Sequence, residues 1–167
     1  GAHWLAGLLA HARGAAIFGT PTINGFGRFQ PHAMAPQSVL WGRDNRGAML
    51  RVLGGSGDAA TRIENRVGEP MANPYLYIAS QIHCGLSGLR QQLNPGPATE
   101  TPYAQGTRLP SSLGEALEAM AGDAVLRKAF GTPLTGLYSR VKRSELERFD
   151  AAENKDEWQR REYFSRC

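Results

Sequence analysis

A change of period near Asn73 limits what this chain can fold into more than any other feature. From Thr22 to Val67 the sequence is rich in glycine and turn residues and carries only short β-type runs. From Met71 onward, apolar residues recur at helical spacing. Asn73-Pro74 marks the crossing: an N-cap residue, then proline at the first helical position, where a missing N–H costs nothing. Strands gathered in one stretch and helices in the next predict an α+β fold, with helices segregated against a sheet.

Within the β-rich stretch, Ser38 to Trp41, Met49 to Leu53 and Thr61 to Val67 read as strands. Asp44-Asn45-Arg46-Gly47 reads as a hairpin turn, so the sheet is expected to be antiparallel. Gly54-Gly55-Ser56-Gly57-Asp58 lacks the Lys-Ser/Thr ending of a phosphate-binding loop and no helix follows it, so it reads as a plain flexible loop. Ahead of the strands, Ala2 to Phe18 places Trp4, Leu5, Leu8, Leu9, Ala12 and Ala16 near one helical face. Behind them, a long helix from Pro74 is followed by a Pro/Gly-rich loop, Asn94 to Arg108. Ser112 and Glu115 form a capping box, Asp123 caps a short helix closed by Gly131, and Thr132-Pro133 starts another running to about Ala151. Asp156 to Ser165 reads as a last, charged helix, with a mobile tail as the alternative.

The 167 residues are 41% hydrophobic and 20% charged, a globular composition with room for one domain and a core. No uncharged apolar run is long enough to span a membrane, and the opening lacks the basic leader of a signal peptide. The chain does not begin with methionine, as if cut from something longer. Cys84 and Cys167 make neither a disulfide framework nor a metal motif, which suits reduced thiols in a cytoplasmic protein. The net charge of +4 permits nucleic-acid binding. The basic residues have no aromatic interleaving, however, and arginine also clamps carboxylates and phosphates, so no nucleic-acid partner is expected.

Arg62-Ile63-Glu64-Asn65-Arg66 carries the most chemistry. On a strand, side chains alternate, so Arg62, Glu64 and Arg66 share one face. A carboxylate flanked by guanidiniums stays ionised and can hold a divalent cation while the arginines hold the anions it bridges. The same residues also suit a solvated strand with exposed ion pairs. Arg28, Arg46 and Arg51 lie in the same stretch. Neighbouring strands would bring these cations together, and such a cluster repels itself unless anions fill it.

The motif order is specific. Pro21-Thr22, Asn24, Arg28-Phe29 and Ala35-Pro36 are followed by Asn45-Arg46 and Arg51, then Arg62-Ile63-Glu64 and Arg66, then Ala72-Asn73-Pro74-Tyr75-Leu76. That order resembles the C-terminal part of the glutamine synthetase catalytic domain, over nearly the whole chain. The resemblance implies a partial glutamine synthetase catalytic fold, with antiparallel strands lining the site and helices packed behind. It implies ATP-dependent ligation of an amine to the γ-carboxylate of glutamate through γ-glutamyl phosphate. By position, Arg28, Arg46 and Arg66 match glutamate-binding arginines, and Arg46 and Arg66 the catalytic ones. Arg46, Arg51 and Arg62 match the ATP-phosphate arginines. Glu64 matches a ligand to Mg²⁺ or Mn²⁺. The family's stacked hexameric rings imply a homo-oligomer.

Three departures qualify the match. The family's other metal ligands and its N-terminal β domain have no counterpart here, so the strands should lose partners and expose an apolar edge. The family's aromatic-Lys-Arg is Phe26-Gly27-Arg28. The glutamate that deprotonates ammonium falls at Met34, and no Asp or Glu occurs between Gly1 and Asp44. An organic amine is therefore expected over ammonia. True glutamine synthetase activity, or a non-catalytic arginine-rich fragment binding nucleotide or nucleic acid, are the alternatives. His11 and His83 read as ordinary packed or surface histidines. Tyr103 lies near where some family members are nucleotidylated, in different surroundings.

Overall fold

A computed structural model describes residues 1–30, 35–103 and 106–164. Among them are six α-helices and a small sheet of three strands, so the α+β expectation holds.

The opening segment forms two helices rather than one: α1 (Ala2–Ala10) and α2 (Ala12–Gly19). They part at His11, whose backbone leaves the helical region (φ −106°, ψ 9°). Its ring is tied elsewhere: Nδ1 donates to Asp123 Oδ2 at 2.8 Å, and Nε2 lies 3.0 Å from Ser87 Oγ. The histidine read as ordinary packing thus links three helices. α3 (Pro74–Gln91) starts as expected, with Asn73 Oδ1 accepting from the N–H groups of Tyr75 and Leu76 at 3.0 and 3.3 Å.

α1 and α3 touch backbone to backbone. A Cβ at Gly88 would fall on His3 O and within 2.6 Å of the Gly7 nitrogen, and one at Gly7 would fall on Cys84 O. Trp4 lies against Gly85. Cys84 is fully buried in this contact, and burial pushes its thiol up to about 12, so it behaves as a small apolar side chain. Cys167 lies outside the described residues.

α4 (Leu113–Gly122) is capped by Ser112, whose Oγ accepts from Glu115 N at 3.2 Å. The Glu115 carboxylate closes on Ser111 N and Oγ, one residue upstream of the expected capping-box partner. α5 (Ala124–Ala151) is capped by Asp123 and breaks at Gly131 (φ 74°), a conformation that suits glycine, with Pro133 in the first turn beyond. α6 (Lys155–Tyr163) follows and is tied back by the Arg148–Glu162 pair at 2.8 Å.

The sheet order is β1 (Trp41–Arg43), β2 (Leu50–Leu53), β3 (Arg62–Asn65). β2 and β3 are antiparallel, pairing Arg51 with Glu64 and Val52 with Ile63. β1 and β2 are parallel, pairing Trp41 with Leu50. The expected hairpin is therefore not one. Asp44 enters the left-handed region (φ 45°), and the chain loops back to start β2 beside the start of β1. The expected strand at Ser38 also shifts. Residues 37–39 bond instead to the 107–109 segment, through Val39 N to Thr107 O (2.8 Å) and Leu109 N to Gln37 O (2.9 Å).

Leu50, Val52, Ile63 and Val67 join the core with Leu5, Leu8, Ala12, Ala16, Cys84 and Leu126. A second cluster joins Ile17, Phe18 and Phe26 to Leu113, Leu117 and Met120. Alternation sends Arg51 and Glu64 to the opposite face of the sheet. Among the described residues, the large exposed hydrophobics lie on helices and loops, Tyr75, Ile78, Ile82 and Leu89 of α3 foremost, and not on the strands as expected. Among the described residues, no helix is long and apolar enough to cross a membrane.

Candidate active site

The polar face of β2–β3 brings Arg51, Glu64 and Arg66 together. The two strands pair Arg51 with Glu64, and Arg66 continues β3 by donating its N–H to Met49 O at 3.0 Å. Arg51 Nη1 donates to Glu64 Oε2 at 3.2 Å, and Arg66 Nε lies 3.5 Å from Glu64 Oε1. Each carboxylate oxygen therefore faces a different guanidinium. Arg51 is also held by Asp44, with Nε 3.1 Å from Oδ1. The hydrogen bond to Asp44 leads the causes that hold the Arg51 guanidinium above its ordinary value.

The two arginine side chains are 17% and 13% exposed, whereas Glu64 is 41% exposed. The carboxylate thus stands open to solvent over a largely sequestered cationic floor. This arrangement can take an anion on the guanidiniums, and a cation on Glu64 once anions replace the carboxylate beside the arginines. As a divalent site it supplies one carboxylate. Among the described residues, no group of three His, Cys, Asp or Glu could hold a metal ion. Glu64 suits a contributed ligand in a site completed from elsewhere.

Arg28 sits at the end of a 3-10 helix, Asn24–Arg28. Its Nη2 donates to Val67 O at 2.7 Å, the carbonyl of the residue after Arg66, so two of the three predicted glutamate-binding arginines meet the same short stretch of backbone. The Tyr77 phenol is pushed up by burial; a hydrogen bond with the Gly68 backbone and the charge of Arg28 oppose this.

Arg46 and Arg62 are not gathered in. Arg46 is exposed in the loop between β1 and β2, where Gly47 N bonds to Asn45 Oδ1 (3.0 Å) and Gly47 lies against Pro102 and Tyr103. Arg62 is exposed and donates to Ala60 O at 3.0 Å. Met34 lies outside the described residues.

Sequence reasoning missed Asp44, as partner of Arg51, and Glu69. The Glu69 side chain is 6% exposed; its carboxylate accepts from Thr22 Oγ1 at 2.8 Å and lies 3.9 Å from Arg28 Nε. Neither acid falls on the alternating pattern that singled out Glu64, and the partners of Glu69 lie more than 40 residues upstream.

The family model for the glutamine synthetase catalytic domain matches residues 1–163. The chain is 44% identical to a γ-glutamylanilide synthase of Acinetobacter sp, over 99% of this chain and 35% of that protein. It is 38% identical to a γ-glutamylethanolamide synthetase of Streptomyces coelicolor, over 98% of this chain and 35% of that protein. A solved GmaS/ADP complex superposes with a TM-score of 0.79 at 28% identity, over 99% of this chain and 39% of that one. The chain thus spans about a third of the length of the curated relatives it matches.

Proposed function

Since the chain belongs to the glutamine synthetase family through its catalytic domain, we propose that it supplies the phosphate- and glutamate-binding arginines of an ATP-dependent glutamate–amine ligase. In this reading it is the C-terminal part of a catalytic domain whose remaining ligands come from other segments and from neighbouring subunits of a cytoplasmic homo-oligomer. The observation that carries it is the Arg51–Glu64–Arg66 array on one sheet face, with Arg28 adjoining through Val67 O.

The family depends generally on ATP and a divalent metal. Glu64 would contribute one ligand to that metal, Mg²⁺ or Mn²⁺, which supplies charge neutralisation at the transferred phosphate. Arg46, Arg51 and Arg62 would hold the ATP phosphates. Arg28, Arg46 and Arg66 would hold glutamate, with Arg46 and Arg66 steadying the acyl phosphate as an amine attacks. Such residues act by position and charge rather than by covalent steps.

The amine is organic in this reading. Both relatives described above are named for carbon-bearing amines, aniline and ethanolamine. Ammonium must lose a proton before it attacks, and residues 1–43 contain no carboxylate to take it. The test compares kcat/KM for ammonium with alkyl-, hydroxyalkyl- and arylamines in the full protein carrying this chain. An organic amine should be preferred by at least about tenfold. Ammonium as the best substrate would return the reading to glutamine synthetase itself; ATP binding without any ligation would reduce it to a nucleotide-binding fragment.

A further inference from the structure

We propose that Glu69 is a positioning residue for Arg28, and through it sets the affinity for glutamate. This rests on the reading of Arg28 as a glutamate-binding arginine. Glu69 lies outside the strands and carries none of the roles assigned above, yet its side chain is the more enclosed of the Arg28–Glu69 pair, at 6% exposure. A buried carboxylate persists only where its surroundings compensate it.

The surroundings here are specific. Oε1 accepts the Thr22 hydroxyl at 2.8 Å, and that hydroxyl oxygen in turn accepts Gly25 N–H at 3.2 Å. Glu69 is anchored by its own backbone, with N bonded to Gly19 O and O to Ala72 N, both at 3.0 Å. Gly25 makes room for it, since a Cβ there would lie 2.6 Å from Oε1. The carboxylate is thus seated on the turn that carries Arg28, by contacts that leave it little freedom to swing.

Oε2 then faces Arg28 Nε at 3.9 Å. That Nε is buried and has no hydrogen-bond partner among the described residues. Nη2 is fixed to Val67 O at 2.7 Å. The guanidinium is held along one edge by a carbonyl and by a charge, and Nη1, which makes no hydrogen bond among the described residues, is left for an incoming carboxylate. An arginine fixed in this way loses less freedom when it binds its anion. The distance of 3.9 Å is too long for a hydrogen bond, so the attraction is chiefly of charge for charge.

The test is made in the full protein carrying this chain, with steady-state kinetics for glutamate, ATP and amine and a thermal melt of each variant. Glu69→Gln keeps an acceptor for Thr22 and removes the charge. It should raise the KM for glutamate about tenfold while leaving kcat and the KM for ATP within about twofold. Glu69→Asp keeps the charge one methylene further back and should fall between the two; it also carries the test if Glu69→Gln does not fold. Adding Glu69→Gln to Arg28→Lys should cost little beyond Arg28→Lys alone, because a residue acting through another has nothing left to act on. An unchanged glutamate KM in Glu69→Gln, or a melt depressed with all kinetic constants falling together, overturns the proposal. An unchanged glutamate KM in Arg28→Lys overturns instead the reading of Arg28 on which it stands.

Discussion

The α1–α3 contact and the polar face of β2–β3 lie on opposite sides of the same core and are built on opposite rules. The helix pair is fixed by shape: Gly7, Gly85 and Gly88 let backbones and the Trp4 ring meet with no space left over. The sheet face is fixed by charge. Its arginines are held by Asp44 and Glu64, side chains 74% and 41% exposed, which can be exchanged for other anions. A region made to hold the fold tolerates no change of volume. A region made to exchange ligands tolerates changes of side chain and depends instead on net charge.

The largest break should come at the seam. Gly88→Ala would drive a methyl group onto His3 O, and neither helix backbone can retreat without losing the other. Overpacking of this kind costs about 1–3 kcal/mol and more where backbone is the obstacle. Thermal unfolding should show a loss at the top of that range. A melt within about 0.5 kcal/mol of wild type would mean that α1 and α3 slide freely and that the seam is not the rigid element.

A smaller effect is expected at Asp123, which ties the seam to α5. Burial alone would raise its carboxyl, but the bonds from His11 and from the Leu126 and Val125 N–H groups overcome burial and hold it below the ordinary range. A depressed folded value stabilises above the unfolded one, near 3.9, and that stability is lost as pH falls through the folded value. Acid melts should therefore steepen below about pH 4. Asp123→Asn should flatten that limb and cost about 1–2 kcal/mol at neutral pH, through a weaker cap and a weakened bond to His11. An unaltered acid limb would place the titration elsewhere.

The same contrast explains what the sequence made legible. Helix ends were readable because caps are local: Asn73, Ser112, Asp123 and Gly131 all act within a few residues of themselves. The Arg51–Glu64–Arg66 face was readable because strand alternation needs no knowledge of the rest of the chain. The hairpin failed because a turn-like tetrapeptide says where the chain bends and not on which side it returns. The bend at Asp44 feeds a parallel pairing, and the Ser38 segment is claimed by residues 107–109, some 70 positions away. The His11 break and the Glu69 seat were hidden for the same reason, since Asp123 and Arg28 meet them only through the tertiary fold.

Arg62 gives the finest test of the contrast, because there stability and function should separate completely. It is exposed, among the described residues it bonds to the Ala60 carbonyl of its own approach loop, and it pairs across the sheet with Leu53, not with an acid. Arg62→Ala should leave the melt within about 0.5 kcal/mol of wild type, as exposed substitutions generally do. If Arg62 holds an ATP phosphate, the KM for ATP should nevertheless rise several-fold, and the rise should shrink as salt screens the exposed charge. Glu64→Ala on the same face should also preserve the melt, while raising the divalent-metal concentration needed for half-maximal turnover. A fall in stability at Arg62 comparable to that at Asp123 would show that the sheet face, too, is held by shape. An unaltered KM for ATP would remove Arg62 from the phosphate site and leave it to Arg46 and to Arg51, which Asp44 and Glu64 anchor.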